Sequence, residues 1–226
     1  MDPRQQRLNA LIARIDAAAN AAGCPAGARL LAVSKTQPAA AIHALAALGQ
    51  RAFGENYVQE AIAKQTQLRG LDLEWHFIGH LQSNKAREAA EHFDWVQSID
   101  RPSVIDALAR HRAPDAPPLN LLIQVNIDDE TSKSGCAPEQ IDALAARIRE
   151  HPNLRLRGLM CIPAADVGPA QRSASFERMR AEFARLQKDD AGIDTLSMGM
   201  SDDFEQAIAH GATLVRIGTA LFGARA

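Results

Sequence analysis

Residues 30–54 read LLAVSKTQPAAAIHALAALGQRAFG, and the fold turns on this stretch. The apolar run Leu30–Ser34 has the length and Leu/Val content of a buried strand. Pro38–Leu48 follows, Ala-rich with apolar residues at helical spacing, and then a second short strand, Arg51–Gly54. Strand, helix and strand in so few residues predict parallel strands joined by a helical crossover.

Outward from there the alternation continues. Further strands are expected at Trp75–Gly79, Trp95–Ser98, Leu119–Val125, Leu154–Met160, Thr195–Gly199 and Thr213–Ile217. The intervening helices are expected near Tyr57–Leu68, Ser83–His92, Pro102–His111, Pro138–Glu150, Ala170–Lys188 and Asp203–His210. Eight βα units predict a closed (β/α)8 TIM barrel; the alternative is an open doubly wound sheet, which typically has fewer strands. An amphipathic helix from about Arg4 to Ala22 precedes the first strand, and a short helical turn closes the chain near Ala220. The Pro-rich stretch Ala113–Pro118 reads as a loop, because the same alternation runs on both sides of it. One barrel domain over residues 1–226 is expected, with residues 1–24 supplying a helix that packs on it.

The bulk composition narrows the function. With 226 residues, 46% of them hydrophobic, the chain can bury a large core without cross-links. Cys24, Cys136 and Cys161 are far apart and contain no C-x-x-C pair, which suits free thiols in a reducing compartment. The net charge of −2 comes from interspersed acids and bases, so no basic footprint points to nucleic acid. The N-terminal residues carry charges throughout, unlike a signal peptide, and no apolar run reaches the ~20 residues of a membrane span. A cytoplasmic protein is expected. A barrel closes its own edges, and no coiled coil demands a partner, so a monomer is expected too.

Polar and Gly-rich residues cluster just after the strands, at Ser34–Thr36, Gly54–Asn56, Gly79–His80, Gln124–Asn126, Met200–Ser201 and Gly218–Thr219. In a barrel these positions share one end, where active sites are built. Lys35 is conspicuous there, since the chain has twenty arginines and only five lysines. An amine at a strand's C-terminal end faces the mouth with apolar walls behind it, and in its neutral form it attacks an aldehyde carbon. A snorkelling strand-end lysine is the plainer alternative. Lys85 and Lys133 also follow strands and are rivals; Lys64 and Lys188 fall on expected outer helices.

TLSMGMSDDF (residues 195–204) and TLVRIGTALFG (residues 213–223) each carry a strand into a Gly-containing turn and a helix start. Backbone N–H groups at such starts favour an anion, and the loops after strands seven and eight are where barrels commonly bind phosphate. Ser201, Gly218 and Thr219 are the candidates; ordinary capping by Ser201 and Asp202 is the competing reading. Arg216 lies two residues before Gly218, so strand alternation puts both on one side, with the guanidinium toward the mouth. There it would keep a pyridine nitrogen unprotonated, because adjacent cations repel. A salt bridge to Glu55 is the alternative. His76 and His80 are four apart but in a strand, so no metal clamp is expected, and His76 reads as a packed residue. The P-loop, the Rossmann fingerprint and the G-x-S-x-G elbow are absent.

The segments AVSKTQP, FGENYVQE, WHFIGHLQSNK, QVNIDDETSKSG, RGLMCI, LSMGMSDDFEQAI and VRIGTALFG, in that order from residue 32 to residue 223, resemble the pyridoxal phosphate homeostasis proteins, the YggS/PROSC family. The resemblance implies a barrel like the N-terminal domain of alanine racemase, with pyridoxal 5′-phosphate (PLP) at its mouth. It implies a Schiff base on Lys35, phosphate binding by Ser201 with the backbone of Gly218 and Thr219, and Arg216 at the pyridine nitrogen. Asn56 beside the ring comes from the resemblance alone.

A racemase needs a second acid/base, supplied in alanine racemase-like enzymes by a tyrosine of an added β domain. The sequence stops soon after the last strand, and its single tyrosine, Tyr57, begins a helix. The expectation is therefore a PLP carrier or regulator without catalytic residues. It would exchange PLP with free amino acids or apo PLP-dependent enzymes and so affect vitamin B6 and amino-acid pools. The alternatives are a minimal PLP-dependent amino-acid racemase and a cofactor-free barrel enzyme acting on a sugar phosphate.

Overall fold

The computed structural model describes residues 2–24, 27–130, 134–164 and 167–223. Eight parallel strands close into a barrel in sequence order: β1 (Arg29–Val33), β2 (Ala52–Glu55), β3 (Glu74–Phe77), β4 (Trp95–Ile99), β5 (Leu119–Gln124), β6 (Leu154–Met160), β7 (Thr195–Ser197) and β8 (Leu214–Ile217). The ring shuts where β8 pairs β1, with Leu31 opposite Arg216. The expected strands are all found, displaced by one or two residues at most of their ends. The open sheet is thereby excluded.

Strand alternation sorts the residues. Phe53, Trp75, Phe77, Val96, Leu121, Ile123, Val215 and Ile217 point outward into the main core beneath the helices. Their neighbours face inward, where Leu31, Ala52 and Leu214 form one small cluster and Trp95, Leu122 and Met160 another. On the same inward faces stand His76, Gln97, Ser197 and Arg216, all buried. A polar layer therefore crosses an otherwise apolar barrel.

The helices are α1 (Pro3–Ala21), α2 (Ala39–Ala47), α3 (Val58–Gln67), α4 (Ala86–His92), α5 (Pro102–His111), α6 (Ile141–Arg149), α7 (Pro169–Lys188), α8 (Phe204–Ala209) and α9 (Thr219–Phe222). Short 3-10 turns, Ser83–Lys85 and Pro138–Gln140, lead into α4 and α6, where continuous helix was expected. Asp2 starts α1 by accepting from the Arg4 amide at 2.8 Å, with Pro3 at the first helical position. Leu8, Leu11, Ile15 and Ala19, spaced three or four apart, form its buried stripe. This helix packs on α8 and α9. Arg7 Nε donates to the Leu221 carbonyl at 2.9 Å, while Arg14 pairs with Glu205 and lies over Phe204. α1 thus braces the two segments that follow β7 and β8.

Candidate functional site

A cavity of about 270 Å³ opens at the C-terminal end of the strands. That is near the lower end of the ~300–1,000 Å³ usual for small-molecule sites. Lys35 beyond β1, Asn56 beyond β2, Ser201 beyond β7, and Arg216, Gly218 and Thr219 of β8 and its exit all line it. Every site residue expected from the sequence therefore faces one space. Ile78, Ile162, Met200 and Phe222 supply apolar walls. Gly79–His80 and Gln124–Asn126 do not line the cavity, contrary to the expected convergence of six segments. Gln124 and Asn126 are occupied instead in tying down the β5 loop, through the carbonyls of Ser134 and Glu130.

Lys35 is half-buried, and among the described residues its amine makes no hydrogen bond or ion pair. The turn behind it is held firmly. Thr36 sits at φ +66°, a left-handed conformation costly for a β-branched residue, and its amide donates to Glu60 Oε1 at 2.6 Å. Lys64 reaches the same oxygen at 2.7 Å and also the Ser34 carbonyl and Glu55 Oε1, each at 2.7 Å. Lys64 lies on an outer helix, α3, as expected. It is buried, because its position on α3 turns it inward over the end of β2. Glu55 is fully buried; burial raises its pKa, while Lys64 and Ser34, whose hydroxyl donates at 2.5 Å, pull it down. Lys85 lies near Glu88 at 3.4 Å, and Lys188 is exposed on α7. The other rival, Lys133, lies outside the described residues.

The loop after β7 depends on Gly199 at φ +94°, where an added Cβ would sit 2.6 Å from that of Ala207. It lets the chain pass close over α8. Asp203, not Ser201 or Asp202, closes this turn: it precedes α8, and its Oδ1 accepts from the Met200 amide at 2.6 Å. The capping alternative for Ser201 fails on that point. Among the described residues the Ser201 hydroxyl has no hydrogen-bond partner. Across from it, the first N–H groups of α9 precede its first turn and have no intrahelical acceptor. Both loops offer donors to an anion.

Arg216 is 4% exposed, and its Nη1 and Nη2 donate to Ser197 Oγ and the Cys161 carbonyl, each at 2.7 Å. Burial pushes the guanidinium's pKa down, with Cys161 and Asp203 opposing. The alternative pairing with Glu55 is not formed, since Glu55 is taken up by Lys64 and Ser34. Asn56 Oδ1 is buried beside the cavity with no partner among the described residues. An orphaned acceptor, an unpaired amine and unspent donors in one cleft describe a site completed by a ligand.

Sequence reasoning missed the partners of Arg216. Ser197 donates to Gln97 Oε1 at 2.7 Å, Gln97 Nε2 meets His76 Nδ1 at 2.8 Å, and His76 Nε2 meets Glu74 Oε1 at 2.7 Å. The available signal was a polar residue at every inward-facing position of this layer in apolar strands (WHF, WVQSI, TLS).

The family model for the alanine racemase N-terminal domain matches residues 6–226. A pyridoxal phosphate homeostasis protein from Pseudomonas aeruginosa is 57% identical over 214 residues, 94% of this chain and 92% of the relative. The protein of the same description from Escherichia coli strain K12 is 53% identical over 216 residues, with 94% and 92% covered. Among solved structures, PipY of Synechococcus elongatus without PLP superposes with a TM-score of 0.87 at 40% identity, over 97% of this chain and 99% of that one. PipY with PLP bound gives 0.85, again at 40% identity, with 97% and 100% covered. Alanine racemase from Corynebacterium glutamicum shares the fold, at 21% identity and a TM-score of 0.69 over 94% of this chain and 61% of that one.

Proposed function

The chain belongs to the pyridoxal phosphate homeostasis proteins, built on the alanine racemase N-terminal domain, and from that premise we propose that residues 1–226 act as one PLP-binding unit that holds and releases the cofactor. When bound, PLP supplies an aldehyde that condenses reversibly with amines. The residues of the cavity fit that group. Lys35 offers an amine with no competing partner among the described residues, and Arg216 offers donors to an acceptor ring nitrogen. Ser201 with the backbone of Gly218 and Thr219 would hold the phosphate, and Asn56, whose Oδ1 has no partner among the described residues, would lie beside the ring. The single observation that carries the reading is this convergence: an unpaired amine in one cavity with the two loops that follow β7 and β8.

The same walls favour holding over turnover. Lys35, Asp202 and Arg216 are the titratable groups on the cavity among the described residues. Arg216 is a poor proton acceptor, and Asp202 stands exposed at the rim. Tyr57 is 62% exposed and does not line the cavity. A racemase moves protons on both faces of Cα and needs a second acid/base opposite the lysine. Free amino acids and apo PLP-dependent enzymes, whose amines compete for the aldehyde, are the partners this exchange suits, in the cytoplasm.

Borohydride reduction of the PLP-loaded protein followed by peptide mass spectrometry tests the assignment. The reduced adduct is expected on the peptide containing Lys35 and is expected to vanish in Lys35→Ala. Protein that cannot be loaded with PLP would favour the sugar-phosphate barrel. Solvent deuterium entering Cα of alanine or serine, abolished by Lys35→Ala, would favour the minimal racemase.

A further inference from the structure

The polar layer inside the barrel has a direction. Arg216 can only donate, so Ser197 Oγ accepts from it and spends its own proton on Gln97 Oε1. The Gln97 amide then presents Nε2 to His76, which makes His76 Nδ1 the acceptor and leaves the imidazole proton on Nε2. That proton points at Glu74, a carboxylate also bound by Arg29 at 2.7 Å. With His76 neutral, one arrangement of protons satisfies every link, and every link donates away from the mouth. Flipping the Gln97 amide then costs His76 its bond to either Gln97 or Glu74, whichever nitrogen holds the proton. Ser197, Gln97 and His76 are wholly buried, and His76 stacks on Trp95 at 5.1 Å between ring centres.

A barrel does not need such a layer to stand. Well-packed aliphatic side chains in place of buried polar groups are often neutral or stabilising. What the chain of bonds adds is orientation. It fixes two of the guanidinium's donor positions, on Ser197 and the Cys161 carbonyl, while the group remains part of the cavity wall.

We propose that Glu74, His76, Gln97 and Ser197 form a one-way positioning relay that locks Arg216 at the cavity wall and restricts the site to ligands whose ring nitrogen is an unprotonated acceptor. The relay rests on the assignment of PLP to this cavity and deepens it, placing ring recognition under residues that run to the far end of the barrel. Burial holds His76 toward its neutral form, which is the form the relay uses. Burial raises the Glu74 pKa, but the hydrogen bond from His76 and the pairing with Arg29 bring it below its ordinary value, so it stays the terminal acceptor.

The test uses the full chain loaded with PLP labelled at the ring nitrogen with 15N, and pyridoxine 5′-phosphate as a probe that lacks the aldehyde. In the parent the ring resonance is expected at the unprotonated position. Ser197→Ala is expected to weaken pyridoxine 5′-phosphate binding by about tenfold, the scale of one charge-assisted hydrogen bond. Gln97→Glu puts an anion beside Ser197 and an acceptor against His76 Nδ1, and it is expected to move the ring resonance toward the protonated position. Glu74→Gln, at the part-exposed far end, is expected to produce a smaller shift of the same sign. Inorganic phosphate should compete equally well in all four proteins. A purely structural layer would lower the melting temperature of the apo variants and leave resonance and affinity unchanged, which overturns the relay while PLP binding stands. A parent that takes up no PLP would overturn both readings together.

Discussion

Two lysines meet the same end of the barrel, and their surroundings are opposite. Lys64, on α3, is buried with three acceptors, the Ser34 carbonyl, Glu55 and Glu60, each at 2.7 Å. Lys35, one residue beyond Ser34, has none among the described residues and faces the cavity. The first is an internal support: the lysine's charge is matched, and Glu60 also holds the Thr36 turn, though Glu55 Oε2 has no partner among the described residues. The second is left open on a rigid support. The contrast separates scaffold from site more sharply than residue type does, because a polar group half-buried without partners marks a place that something else completes.

The largest effect that sharpens this contrast is expected from Lys64→Met. Removing one member of a buried pair leaves Glu55 charged without a cation, a loss on the order of 3–5 kcal/mol. Urea unfolding of the apo protein at pH 7 measures it. The sign of its pH dependence follows from Glu55, whose pKa burial already raises and which the missing lysine would raise further. The variant's native state then takes up a proton at higher pH than its unfolded chain, so that group's contribution improves as pH falls through the raised value. The gap between parent and variant should narrow from pH 7 to pH 5. A gap that widens, or a variant as stable as the parent, would mean that Lys64 is not the support described.

Ser201→Ala probes the open side. Its hydroxyl has no internal partner among the described residues, so its loss should leave apo stability unchanged and weaken PLP retention by about 1–2 kcal/mol. Equilibrium dialysis of loaded protein against PLP-free buffer reads the difference. Unchanged retention would assign the anion to the backbone of Gly218 and Thr219 alone. A fall in apo stability would place Ser201 with Lys64, in the scaffold.

Much of this was legible in the chain, for identifiable reasons. The barrel was readable because parallel strands covered on both faces give short apolar runs, and the intervening helices keep a different period. Lys35, Ser201 and Arg216 were readable because strand ends in a barrel share one face. Lys64 was rightly placed on an outer helix, but helical periodicity cannot reveal that a carboxylate waits beneath it. Arg216 was given a wrong alternative partner because Glu55, on the same face of β2 as Phe53, turns to Lys64 beneath α3, while Arg216 turns into the barrel. The relay was hidden because Glu74, His76, Gln97 and Ser197 lie on three strands, and only the closed ring brings them into line.

The smallest effect concerns Asp202, the acidic residue on the cavity beside Ser201. A carboxylate next to an anion cradle repels the ligand, but at the exposed rim solvent and salt reduce that repulsion to a few tenths of a kcal/mol. Asp202→Asn is therefore expected to tighten PLP binding about twofold at low ionic strength, with the gain disappearing in concentrated salt. Lys35 should still carry the adduct, since the substitution touches neither the amine nor its support. A loss of affinity would reverse the picture, making Asp202 part of the loop's own architecture alongside Asp203. A gain that persists in high salt would bring the carboxylate into direct contact with the phosphate instead of the rim.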